Sequence, residues 1–501
     1  MKKLNLLTVS VVLTTIVICI SCQKDFLDKN PLDQISSQTF WKTEGDVNMA
    51  LAGCYRRLQA DFLGYRRVWT DCLSDNAFAH WGYYGIASMT LGVISPSSGG
   101  AVNASYYPPY RGIASCNFFL ANVEKAQISD EKKALAKAEV RFLRALMYFD
   151  LVNFFGDVIL YKDLPKSADE AKIAKSPKAE VLAYIHADLD EAISSLPDVA
   201  YAGHAVKGSA LAIKARVLLY EQKWAEAAGF AQQIMSSGKF SLANNYLGIF
   251  SGTSTQLNNP EIIFSTQYLG PTNPTAFVES MDVEIAWYAC INPYQNLVDD
   301  YECTDGKPIT ESPLYDPADL TWANRDPRLK LTMRNLTEVW PQPQEAGQTG
   351  YVMRKYIDFS HVPFSYSRTD SDQDMVLTRY ADVLLMYAEA KNEVSGPDAS
   401  IYDALDQIRS RPGVNMPPVD RAKYNSKELL RDYIRHERRI ELALEGYRYF
   451  DLKRWGIIGT ILNTLKNPAG IPLVFKSEHY LFPFPQAELD NNPQLEQNPG
   501  Y

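Results

Sequence analysis

GSALAIKARVLLYEQKWAEAAGFAQQIMSSGKF, residues 208–240, is the stretch whose reading decides the fold. Small residues (Ala210, Ala212, Ala215, Ala227, Ala228, Ala231) alternate with large ones (Leu218, Tyr220, Trp224, Ile234) through two helical periods. A tight turn at 221–223 separates them. Two consecutive helices so patterned pack small faces against large ones, because the short side chains let the backbones approach.

The same pairing is found on either side of that stretch. Residues 132–155 read KKALAKAEVRFLRALMYFDLVNFF, with Phe142, Leu146 and Phe149 on one face beside Leu143 and Met147. Ser129, Asp130 and Glu131 supply a helix start and Gly156 a stop. A further helix is expected over 178–196, closed by Pro197. RYADVLLMYAEAKNE, 379–393, makes a stripe of Ala381, Leu384, Leu385 and Ala388, and Pro397 separates it from a partner helix at about 400–411. Three or four such pairs follow the packing logic of tetratricopeptide-type units. The fold class is mainly α: a tetratricopeptide-like scaffold of helical pairs with long inserted loops and a few short strands.

The insertions differ in texture. Residues 72–112 and 237–375 are rich in Gly, Pro, Asn and aromatics, with strand-like runs such as EIIFSTQY at 261–268. Long irregular segments in a compact helical protein are usually functional, and these carry too many aromatics for disorder.

The N-terminus sets the compartment. Lys2 and Lys3 precede an uncharged run over 4–20, then Ser21 and Cys22. This order reads as a secretory signal ending at a lipoprotein cleavage site, with Cys22 the lipid acceptor. Cys19 stands where a leucine is usual; a plain secretory signal or a single membrane helix is the alternative. The expected organisation is a signal over 1–21, a lipidated tether over 22–40, and two halves, 41–236 and 237–501, packed as one body. Without the signal's two lysines the chain has 48 basic against 59 acidic residues, a net charge of −11. That argues against nucleic acid or anionic lipid as partner. Cys54, Cys72, Cys116, Cys290 and Cys303 form no disulfide framework and no CxxC pair, although Cys290 and Cys303 could bridge locally.

No catalytic or cofactor motif stands out. The six histidines are dispersed, with no HExxH, GxSxG or phosphate loop. A glycosidase-like carboxylate pair is not excluded by sequence, and a purely structural adaptor is a third reading. In ERRIELALEGYRYFDLKRWG, 437–456, the pairs Arg438/Glu441, Glu445/Arg448 and Asp451/Arg454 are read as i,i+3 ion pairs on one scaffold helix, in preference to an acid/base site.

Taken in order, several segments resemble the SusD/RagB family of Bacteroidetes nutrient-binding lipoproteins. They are CQKDFLDKNP at 22–31, FLRALMYFDLVNFFGDVIL at 142–160, NNPEIIFSTQY at 258–268 and DPRL at 326–329. RYADVLLMYAEAKNE and ERRIELALEGYRYFDLKRWG follow, then LFPFP at 481–485 and NPQLEQNPGY at 492–501. The resemblance implies four tetratricopeptide-like units and a TonB-dependent, SusC-like outer-membrane barrel as partner. The ligand it implies is an oligosaccharide, or in a minority of members a peptide or other nutrient. The lipid anchor would hold the protein at the outer membrane.

The resemblance transfers no platform residue. The residues themselves must choose, because a sugar ring presents apolar C–H faces and a rim of hydroxyls. The first candidate set is Asp75, Asn76, Trp81, Tyr83 and Tyr84, where glycines flank WGYY. The second is Trp287, Tyr288 and Tyr294, with Trp322 further off. Each aromatic taken singly is as readily a packing residue as a ligand contact. Tyr106 and Tyr107, next to Pro108 and Pro109, read as a structural or transporter-facing loop.

Overall fold

The computed structural model describes residues 40–275, 280–335, 337–338, 347–362, 364–365, 367 and 370–501. Cys22, the signal and nearly all of the tether lie outside these, as does the side chain of Tyr83. Ten helices carry the scaffold: α1 (Glu44–Arg56), α2 (Gly100–Asn122), α3 (Asp130–Phe155), α4 (Lys178–Ser195), α5 (Lys207–Tyr220), α6 (Trp224–Ser237), α7 (Tyr380–Ser395), α8 (Ala399–Ser410), α9 (Lys427–Glu441) and α10 (Arg448–Arg454). Six strands form two-stranded antiparallel ladders: β1 (Ala77–Ala79) with β3 (Ile291–Pro293), β2 (Ile262–Thr266) with β6 (Met375–Arg379), and β4 (Met333–Asn335) with β5 (Tyr351–Met353). The fold is mainly α.

Local chemistry explains the helix ends. Ser129 Oγ accepts from Lys132 N at the start of α3, and Gly156, at φ 75°, ends it in a conformation that favours glycine. Consecutive helices pack in pairs: α2 on α3, α3 on α4, α5 on α6 and α7 on α8. Helix α7 also packs on α6, joining early and late pairs. There Ala212, Ala215, Ala227 and Ala231 lie with Leu218, Leu384, Leu385 and Ile401 in one buried cluster. A larger core runs from Trp41 through α3 and the insertions to Leu495. All five described cysteines are buried free thiols, so Cys290 and Cys303 form no bridge.

Two expectations are corrected. Tyr106 and Tyr107 lie within helix α2, which continues through Pro108 and Pro109. Packing overrides the prolines' lost amide donors there: Tyr106 is buried against Tyr110, Phe155 and Phe484. The segment 437–456 is two helices, because the chain breaks over 442–447, with Leu444 at φ 63° and Gly446 at φ 83°. A Cβ at Gly446 would stand 2.8 Å from Arg67 O.

Of the three expected i,i+3 pairs only Asp451–Arg454 forms, at 2.9 Å. The other charges turn inward. Arg438 pairs with Asp382 (2.6 Å) and Asp451 (2.8 Å). Glu441 takes Arg328, Arg379 and Arg411, while Glu445 takes Lys355 and Arg379. Burial opposes ionisation of Glu441, yet the three guanidiniums hold its carboxyl well below the usual range. Buried charges persist only when paired in this way, and the network clamps α9 and α10 to β6 and the middle insertion.

Candidate functional site

Strand β1 brings the first insertion onto the second. Ala77 lies opposite Pro293 and Ala79 opposite Ile291, and the His80 amide extends the ladder to Cys290 O at 2.9 Å. Just past β1, Trp81 Nε1–H donates to Tyr288 O at 2.7 Å. The two rings meet edge to face, centroids 5.9 Å apart at 79°, and the His80 ring stands 5.0 Å from the indole. All three side chains are half-buried.

A one-turn π-helix, Val283–Trp287, sets this geometry. Such turns are rare and frequent at functional sites. It leaves Trp287 in the core at 8% exposure and delivers Tyr288 to the surface. Ala289, at φ 47°, then redirects the chain into β3. The two sets of aromatics expected from separate insertions thus meet through Trp81 and Tyr288.

The other candidates have different roles. Asp75, 2% exposed, accepts from Arg448 Nε (2.8 Å) and Nη2 (2.9 Å) and pairs with Arg439 at 3.1 Å. Burial raises its pKa, but the Arg439 and Arg448 charges outweigh this and bring it to about 2. Asn76, fully buried, donates to Asp71 Oδ1 (2.7 Å) and accepts from Arg439 Nε (3.0 Å). The expectation that these two residues meet a ligand is therefore corrected: their polar atoms tie β1 to α9 and α10. Trp287 and Tyr294, each 8% exposed, are likewise packing residues. Tyr84 is half-buried; its hydroxyl donates to Asp61 Oδ1 and accepts from Arg66 Nη1, both at 3.0 Å, and its ring packs on Phe62 and Trp69. The Trp322 ring packs on Tyr351, centroids 6.0 Å apart and tilted at 32°.

His80 was not among the expected residues, and its adjacency to Trp81 in AHWG was the available signal. Geometrically Trp81 and Tyr288 form an angled, edge-to-face aromatic pair. Because the indole N–H is already satisfied by Tyr288 O, a ligand need offer the rings only apolar faces. Among the described residues no group of three or more His, Cys, Asp or Glu could hold a metal ion, and no helix is long and apolar enough to cross a membrane.

Comparison with known proteins agrees with this architecture. Residues 260–501 match the SusD family model, and residues 25–219 match a model described as starch-binding, associating with the outer membrane. The chain is 27% identical to SusD-like protein P2 of Formosa agariphila over all of both chains. A solved SusD-like carbohydrate binding protein from Bacteroides fragilis is 28% identical with a TM-score of 0.79, covering 91% of this chain and 100% of that one. A laminarin binding SusD-like protein is 25% identical with a TM-score of 0.69, covering 92% of this chain and 100% of that one. The chain belongs to the SusD/RagB family.

Proposed function

We propose that this protein is a surface lipoprotein that captures an oligosaccharide on the Trp81–Tyr288 platform and passes it to a TonB-dependent, SusC-like outer-membrane barrel. The observation that carries the reading is the convergence of two insertions, 207 residues apart, on one half-buried aromatic pair. Loops on a rigid scaffold are where binding residues concentrate. Family membership and relatives named for starch, laminarin and carbohydrate binding support a sugar as the ligand. In this reading the role is binding without catalysis, and no cofactor is needed. Residues 1–21 are the secretory signal, Cys22 bears the lipid, and 22–40 tether a single body built from 41–236 and 237–501.

The test is Trp81→Ala, assayed by glycan array and then by titration calorimetry with the tightest-binding oligosaccharide. Loss of the stacking face is expected to cost at least about 1.4 kcal/mol, tenfold in affinity, with turnover of the glycan absent. Unchanged affinity would move the site away from this platform.

A further inference from the structure

Two of the buried thiols face each other. Cys54, 2% exposed, stands in the last turn of α1, and Cys116, fully buried, stands in α2. Their side chains meet across the α1–α2 interface. The contact with Cys54, with burial behind it, holds the Cys116 thiol well above its usual range.

Both flanks of that contact are pinned. Arg57 Nε donates to Ser115 Oγ at 3.0 Å, beside Cys116 and one turn on from Cys54. Tyr55 O–H donates to Glu139 Oε2 on α3 at 2.5 Å, and Arg144 Nη1 on α3 donates to Asn117 Oδ1 at 2.7 Å. Trp41, ahead of α1, packs edge to face on Phe119, centroids 5.3 Å apart. The residues next to each cysteine are thus tied across helices, which keeps the two thiols opposed. Arg144 also sets a positive charge near Cys116, which favours its thiolate.

We propose that Cys54 and Cys116 form a disulfide as the chain folds in an oxidising compartment, joining α1 to α2. The step is thiol–disulfide exchange with an external disulfide. One cysteine, as its thiolate, attacks a sulfur of that disulfide and expels one thiolate. The other cysteine then attacks the mixed disulfide at the first cysteine's sulfur and expels the second thiolate. The two cysteines are oxidised, and the external disulfide is reduced to two thiols. The two cysteine protons pass through solvent to the thiolates released. Exchange precedes closure of the core, because buried thiols are inert. Closure then shields the bridge, and the long loop it encloses restrains the unfolded chain. The compartment rests on the export reading proposed above; the contact between the helices does not.

The experiment unfolds the full chain with reductant and refolds it in glutathione with glutathione disulfide. The product is alkylated in denaturant and mapped by mass spectrometry. The expected map links the Cys54 and Cys116 peptides, lighter by two hydrogen atoms than the free pair, and shows Cys72 alkylated. Reduction is expected to lower the melting midpoint by about 4 °C in wild type and in Cys72→Ala. It should leave Cys54→Ala and Cys116→Ala unmoved; where either variant fails to fold, the wild-type map decides alone. Alkylation of both Cys54 and Cys116, or a link from either to another cysteine, overturns the pair. A bridge whose reduction leaves the wild-type melt unchanged overturns its role in joining the helices. The same map is made on protein from the membrane of its native host, where free Cys54 and Cys116 overturn the proposal. Failure of the export reading is distinguished there by the absence of lipid on Cys22.

Discussion

Asp75→Asn separates a structural from a ligand role for the residue that sequence placed first in the binding loop. The substitution keeps the side-chain volume and removes the charge. Arg448, with 11% of its side chain exposed, loses a two-bond partner, and Arg439 keeps Asp300 and Asn76. Removing one member of a buried ion pair costs about 3–5 kcal/mol, and the surviving partners of Arg439 place this case near 3. Unfolding entropy of about 2.1 cal/mol/K per residue makes 1 kcal/mol worth ~1 °C in a chain this long, so the melting midpoint should fall about 3 °C at pH 7. The pH dependence has a definite sign. A carboxyl lowered from 3.8 to about 2 contributes stability that is present above pH 4 and lost as pH falls towards 2. That contribution is worth about 2 kcal/mol, so the gap between wild type and Asp75→Asn should narrow by that amount over the same window. Urea melts across that range measure the gap, and calorimetry well below the melt measures glycan affinity. Unchanged stability together with a tenfold loss of affinity would refute the structural role and return Asp75 to the ligand.

Trp287→Ala should destabilise by ~3–5 kcal/mol, as for other buried large aromatics, and more than Trp81→Ala does; equal melts of the two variants would contradict the inward reading of Trp287. Leu384→Asp places a charge at a fully buried position among Ala381, Leu385 and Ala388, and should cost several kcal/mol; a midpoint within about 1 °C of wild type would exclude that stripe from the core. Cys22→Ala should release the protein from the membrane fraction of its native host, and recovery there at wild-type levels would remove the lipid anchor from the proposal.

What was legible in the sequence was local. The α3 boundaries follow from Ser129 and Gly156, and the α5–α6 pair from its alternation of small and large residues. Strand β2 could be read from EIIFSTQY. What was illegible depends on partners far along the chain. Asp75 and Asn76 look like polar loop residues because Arg448 and Arg439 lie 373 and 363 positions away. The break at 442–447 was hidden for the same reason: i,i+3 spacing suggested a continuous helix, while the real partners of Glu441 and Glu445 sit at Arg328, Lys355, Arg379 and Arg411. Trp81 was legible as a loop aromatic, but Tyr288 and Trp287 were inseparable until the π-turn assigned them opposite directions.

This division bears on why the motifs identify the family more sharply than the ligand. Residues of the charge network are fully buried and each answers to several partners, so exchanging one leaves another charge uncompensated. Arg379 alone meets Glu261, Glu441 and Glu445. The Trp81–Tyr288 pair is constrained differently. Trp81 is fixed by a bond to a backbone carbonyl, a partner whose presence does not depend on which side chain stands at 288. The buried ion pairs therefore specify the frame, while the half-buried Trp81–Tyr288 pair stands outside that network.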